Sequence, residues 1–434
     1  MHLSFARCFV FLLLATTTAA LIIYVFGYMP FWPVEYQHWL AIPYNDGLTS
    51  GLVSSGFILT TSVLVFLFNP RWLPIAVAAL LAAIWLWMEV RPMGDSGHWL
   101  AHAASKDLWL SEFLANYFFH LTYQLGIEFQ YVAPVFGALL VLSWFSLKPV
   151  LFEPADDGVW WLVLTFSLTS SVVMALYTRN FIENTLLSVP VLLFHLRYAL
   201  HYVRTGQHLS RRYAAVLLAL AILIHGQNMF MLPAFLLLVL IYPAALPTRL
   251  AIKVAFHTSL LIMGCIITLI LLFQLAGFNV VSGNIQGGGD GTRFIPILQS
   301  QASHFVRFLM FSPAHFVELS NIMLHVAPLL LWIPFLLLKT RYTGATSWLK
   351  PLMNDSILAS LAIYACAYLG FIFLWNFDLG YPTDLDLMVS LGVTLNIAVL
   401  RLLYCLGGDW RYAILVTSGL LTVINLQFVG NFMQ

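Results

Sequence analysis

The chain predicts an all-α, polytopic membrane protein, and three observations predict it. Hydrophobic residues make up 61% of its 434 positions and charged residues only 9%. Mean hydropathy is +0.89. Apolar runs of about 20 residues recur along the chain, the length a helix needs to cross roughly 30 Å of hydrocarbon. No polar stretch is long enough to enclose a core of its own, so residues 1–434 read as a single transmembrane domain with modest loops. A net charge of +1 gives no reason to expect a nucleic-acid partner. Cys8, Cys265, Cys366 and Cys405 fall inside apolar runs at irregular spacing, which disfavours a disulfide framework and a zinc site.

Apolar runs place about 13 spans, near 8–29, 47–68, 73–90, 128–147, 159–177, 185–203, 212–227, 229–245, 255–276, 322–338, 355–375, 387–404 and 412–430. The first run is too long for a signal-peptide core and reads as an uncleaved span. With the N-terminus in the cytoplasm, 14 of the 19 Lys and Arg residues fall in cytoplasmic loops, among them Lys148, Arg204, Arg211, Arg212, Arg249, Lys253 and Arg401. The acids divide the other way. Of 18 Asp and Glu residues, 13 fall at or beyond the outer ends of spans, and insertion does not demand that excess.

The outer polar residues gather in a few segments. Residues 91–126 begin with Arg91-Pro92-Met93-Gly94-Asp95-Ser96-Gly97-His98 and continue with large apolar side chains at three- and four-residue steps, a pattern for one or two amphipathic helices lying in the interface. A short turn at 177–184 carries Arg179, Glu183 and Asn184. His225-Gly226-Gln227-Asn228 interrupts about 30 apolar residues and so marks the outer turn of a helical hairpin. Residues 375–386 hold Asn376, Asp378, Asp384 and Asp386. The outer loop 277–320 contains Gly287-Gly288-Gly289-Asp290-Gly291 and then Arg293. It lacks the Lys-Ser/Thr of a phosphate loop and reads as a mobile lid.

Taken in order, Gly94-Asp95, Phe181-Ile182-Glu183-Asn184, His225 and the run from Asn376 to Asp386 resemble bacterial members of the GT-C glycosyltransferase superfamily. The resemblance covers roughly residues 70–390 and rests on order and sidedness. Ser96 stands where Gly is common, and Phe377 and Leu385 replace Pro and Trp. The resemblance implies a GT-C-like fold in a bacterial inner membrane. It also implies an inverting enzyme that takes a sugar from a polyprenyl-phosphate carrier to a glycan, lipid or protein acceptor on the periplasmic face, with Asp95 as catalytic base.

The residue chemistry is compatible with that role. Sugar transfer from phosphate passes through an oxocarbenium-like state, so one carboxylate deprotonates the acceptor while cationic or N–H donors receive the leaving phosphate. Asp95 is the candidate base, and Arg179, Arg293, His98 and His225 are candidate phosphate partners. Asn184, Gln227 and Asn376 suit sugar hydroxyls. Asp378, Asp384 and Asp386 suit acceptor positioning or oxygen ligation of Mg²⁺ or Mn²⁺.

Each residue also has a purely structural role available. Asp95 suits an N-cap, Arg179 and Glu183 a tolerated ion pair, Asp384 and Asp386 the first turn of a helix, and His225 a hydrogen-bonded packing position. At the level of function, the competing expectations are a lipid or solute transporter, whose ionisable groups would lie near the bilayer midplane, and a non-catalytic GT-C-like assembly subunit.

Overall fold

Where a long apolar run meets Pro, Gly or a capping side chain, a helix starts or stops. The computed structural model describes residues 102–153, 184–242, 247–281, 309–331, 333, 354–374 and 388–406, and 84% of them are helical. In chain order the helices are α1 (Phe113–Gln124), α2 (Phe129–Phe145), α3 (Lys148–Leu151), α4 (Asn184–Thr205), α5 (His208–Ile224), α6 (Met231–Ile241), α7 (Thr248–Leu275), α8 (Pro313–Val326), α9 (Ser356–Leu374) and α10 (Val389–Leu406). Helices α7, α9 and α10 are long and apolar enough to cross a membrane, whereas α6 with its preceding turn is a shorter apolar segment. The expected spans at 8–29, 47–68, 73–90, 159–177 and 412–430 lie outside the described residues.

Local chemistry explains the ends. Ser312 caps α8 by accepting the His315 amide at 3.3 Å, with Pro313 in the first turn where its missing N–H costs nothing. Asp355 caps α9 by accepting the Leu358 amide at 2.7 Å. At the far end of α7, Gly277 turns at φ +86°, which lets its own amide reach Gln274 and that of Phe278 reach Phe273, each at 3.0 Å. That Schellman closure needs a left-handed residue and so favours glycine.

The core lies between α2, α4, α5, α6, α9 and α10, centred on Trp144, Tyr202, Phe235, Tyr364 and Tyr368, all fully buried. Several of its polar atoms are paired across helices. His195 on α4 hydrogen-bonds the Ala214 carbonyl on α5 at 2.8 Å, so Nδ1 carries the hydrogen, and Nε2 accepts from the Tyr364 hydroxyl of α9 at 2.8 Å. Such pairing is what a water-poor interior requires of buried polar groups.

Two ends of the bundle differ in chemistry. At one end Arg204 bridges to Glu153 at 3.2 Å and donates to the Pro149 carbonyl at 3.0 Å. Beside it Arg401 bridges to Asp355 at 2.6 Å and donates to the Leu151 carbonyl. The opposite end holds the Leu110–Glu112 and Gly226–Phe230 3-10 turns. Arg204, Glu153, Asp355 and Arg401 therefore share one end of the bundle.

Two expectations need correction. The outer loop 277–320 is not a structureless lid at its edges: β2 (Asn279–Val281) pairs in parallel with β1 (Asp107–Trp109), and residues 313–320 belong to α8. Three-residue strands carry too little alternation to register in the sequence. Of the 91–126 segment, residues 107–109 are this strand and one helix, α1, follows, within the one or two helices expected, while residues 91–101 lie outside the described residues. The span drawn at 322–338 is not one unbroken helix, because α8 starts at Pro313 and breaks after Val326, with Ala327 at φ −133° and ψ 61° and Pro328 beginning a new 3-10 turn. Pro328 has no N–H to continue the ladder. Asn396 of α10 takes over, donating to the Val326 carbonyl at 3.2 Å and accepting the Leu329 amide at 3.4 Å.

Candidate functional site

Helix α5 stops at Ile224 because His225 turns to an extended backbone at φ −150° and ψ 117°, and the chain reverses through Gly226–Phe230 into α6. The reversal is tight and closely covered. A methyl group on Gly226 would stand 3.2 Å from the Ser111 carbonyl oxygen, so a small residue lets the Leu110–Glu112 turn lie against this one. Asn228, fully buried, stitches the turn from within, donating to the carbonyls of Ala221 at 2.9 Å and His225 at 3.1 Å. Its amide oxygen accepts from the Tyr368 hydroxyl of α9 at 2.6 Å.

Two polar side chains in this turn are left over. His225 and Gln227 are 8% and 7% exposed. Nδ1 of His225 and both amide atoms of Gln227 have no hydrogen-bond partner among the described residues. A buried amide without partners costs about 1–3 kcal/mol, and native interiors rarely hold one without a reason. Together these atoms offer the two N–H donors and the acceptor oxygen of an amide and one imidazole nitrogen able to be either, with no formal charge. That set matches neutral hydroxyl groups better than a phosphate, which calls for cations.

The neighbouring elements give the turn a fixed seat. Asp107 of β1 accepts from the Asn279 side chain at 3.1 Å, and the Asn279 amide reaches the Lys106 carbonyl at 3.1 Å, tying the segment before α1 to the end of α7. Helix α1 buries Phe113, Ala115, Asn116, Phe119 and His120, with His120 donating to the Ala103 carbonyl at 2.9 Å.

Of the residues singled out in the sequence, His225 and Gln227 are therefore brought together. Asn184 is the first residue of α4. Asp95, His98, Arg179, Glu183, Arg293, Asn376, Asp378, Asp384 and Asp386 lie outside the described residues. Among the described residues no three His, Cys, Asp or Glu side chains gather as ligands for a metal ion. Sequence reasoning missed Tyr368 and the structural part played by Asn228. The available signal was a pair of tyrosines, Tyr364 and Tyr368, one helical turn apart in an apolar span, where each hydroxyl must find a partner. No protein-family model matches the chain, and comparison with curated proteins and with solved structures found no match.

Proposed function

We propose that this protein is a GT-C-like membrane glycosyltransferase that moves a sugar from a polyprenyl-phosphate-linked donor to a glycan, lipid or protein acceptor at the periplasmic face of a bacterial inner membrane. In this reading about 13 spans place the N-terminus in the cytoplasm, and Asp95 is the base. Arg179, Arg293 and His98 attend the phosphate, and Asp378, Asp384 and Asp386 orient the acceptor or hold a divalent cation. One observation carries the reading: at the end of the bundle opposite its ion pairs, His225 and Gln227 are buried with polar atoms that no group among the described residues satisfies. A sugar's hydroxyls would satisfy them, and His225 serves there as a hydroxyl partner rather than a cation.

The test is transfer of labelled sugar from polyprenyl-phosphate donors by the purified, reconstituted protein. Asp95→Asn is expected to lower turnover by roughly 10²–10⁴-fold, the range for loss of a general base, with the thermal midpoint retained. Unchanged transfer removes Asp95 from the mechanism.

The broken α8 favours a second reading, transport. A helix interrupted inside the bundle, with Asn396 holding its free carbonyl, is the architecture that transporters use at binding sites. Uptake of labelled solute or lipid into proteoliposomes without covalent product would favour it over transfer.

A further inference from the structure

Between residues 184 and 289 the chain runs for 106 positions without an Asp or Glu, while Arg197, Arg204, Arg211, Arg212, Arg249 and Lys253 supply six cations. Three of the six are engaged. Arg204 bridges to Glu153, Arg211 donates to the Val254 carbonyl and the Thr258 hydroxyl at 3.1 Å each, and Arg197 lies over the Tyr198 ring. Arg212, Arg249 and Lys253 are exposed and meet no carboxylate among the described residues. The Arg211 contacts bring the start of α5 against the start of α7, so all three lie toward the same end of the bundle.

Helix α7 arranges its own surface in an order that suits an amphiphile. At about 100° per residue, Arg249, Lys253, Phe256, Leu260, Met263 and Ile267 all fall within about 40° of one line along the helix. Each is exposed, with Phe256 at 61%, Leu260 at 52%, Met263 at 46% and Ile267 at 50%. Only 11% of the apolar window of α7 is buried within the protein, so this face is left open to an apolar partner such as lipid. Reading along the line from the end that holds the ion pairs, two cations come first and a continuous apolar track follows.

We propose that this face of α7 is a docking site for one anionic phospholipid, its phosphate held by Arg249 and Lys253 with Arg212 nearby, and an acyl chain lying along Phe256, Leu260, Met263 and Ile267. A zwitterionic choline headgroup would bring a further cation beside Arg249 and Lys253, which bridge to no carboxylate among the described residues. A free anion would leave the apolar track unused. The site stands independently of glycosyl transfer.

The test uses the full-length protein in proteoliposomes with spin-labelled phosphatidylglycerol or phosphatidylcholine, reading the motionally restricted lipid. Phosphatidylglycerol is expected to be preferred by at least about fivefold, the scale of one basic residue at a membrane surface. The preference is expected to fall close to one in R249Q/K253Q and to persist in R249K/K253R. Equal restriction of both lipids by the wild type, or a preference unchanged in R249Q/K253Q, overturns the proposal. Should R249Q/K253Q fail to fold, photoactivatable phosphatidylglycerol on the wild type decides. Cross-links within 249–267 support the site, and cross-links confined to other segments overturn it.

Discussion

The hydroxyl of Tyr368, midway along α9, donates to the amide oxygen of Asn228 across 2.6 Å and so clamps the turn that holds His225 and Gln227. Asn228 spends its remaining hydrogens on the carbonyls of Ala221 and His225. All of its hydrogen-bonding groups are thus engaged in shape, which leaves His225 and Gln227 as the turn's available polar groups.

Tyr368→Phe should leave the Asn228 oxygen unpaired in a buried site, at about 1–3 kcal/mol. Thermal unfolding in detergent is expected to show the loss. If the clamp positions the site, KM for the sugar donor rises as well. A stability loss with donor KM unchanged would reduce Tyr368 to a packing role.

Gln227→Leu separates function from folding. Replacing a buried, unsatisfied amide with an apolar group of similar size should stabilise the protein by about 1–2 kcal/mol while weakening ligand use. A higher melting temperature with lower transfer is the expected outcome. Transfer at the wild-type rate would show that Gln227 holds no substrate.

Gly392 of α10 lies so close to α8 that an added methyl would collide with the Val326 carbonyl. That carbonyl also accepts from the Asn396 side chain, one helical turn further on. Gly392→Ala is expected to cost about 1–3 kcal/mol through overpacking. Asn396→Leu is expected to cost a similar amount by stranding the broken end of α8. Expression and melting temperature of the two variants check this, and wild-type values for Gly392→Ala would argue against so close an approach.

Asp355, one residue ahead of the spanning α9, is half-withdrawn from water, and burial by itself would raise its carboxyl. Hydrogen bonds from Arg401 and from the Leu358 amide outweigh that, leaving it below the ordinary carboxylate value. A carboxylate whose folded value is depressed stabilises the fold above the unfolded value, near 4, and loses that contribution as pH falls from there through the folded value. Melting temperature should therefore drop below about pH 4 in the wild type. Asp355→Asn, which strands Arg401 at about 3–5 kcal/mol, should show lower stability at pH 7 and a shallower acid dependence. Parallel pH profiles for the two proteins would exclude the pair as a source of acid sensitivity.

Several elements were legible in advance for identifiable reasons. The spans expected at 185–203, 355–375 and 387–404 coincide closely with α4, α9 and α10, because apolar length and flanking polar residues bound a membrane helix from both sides. The His225–Asn228 turn was legible because four non-aliphatic residues interrupt a long apolar run. The β1 and β2 strands were not, since their pairing joins residues 107–109 to residues 279–281 and neither triplet alternates long enough to signal itself. Nor was the break in α8, where the apolar character continues unchanged and only Pro328 marks the change of direction.

Composition alone decided that the described part of this chain is built from helices, several long and apolar enough to cross a membrane, because transfer of 20 apolar residues is a sum over residues that needs no knowledge of neighbours. Only the tertiary structure decided which buried polar atoms are paired. His195 with Tyr364, Asn228 with Tyr368 and Asp355 with Arg401 are joined across distances of 46 to 169 residues in sequence. Hydrogen bonding is directional and reaches about 3 Å, so whether Gln227 is satisfied or left for a ligand depends on where other helices stop, which no local pattern records.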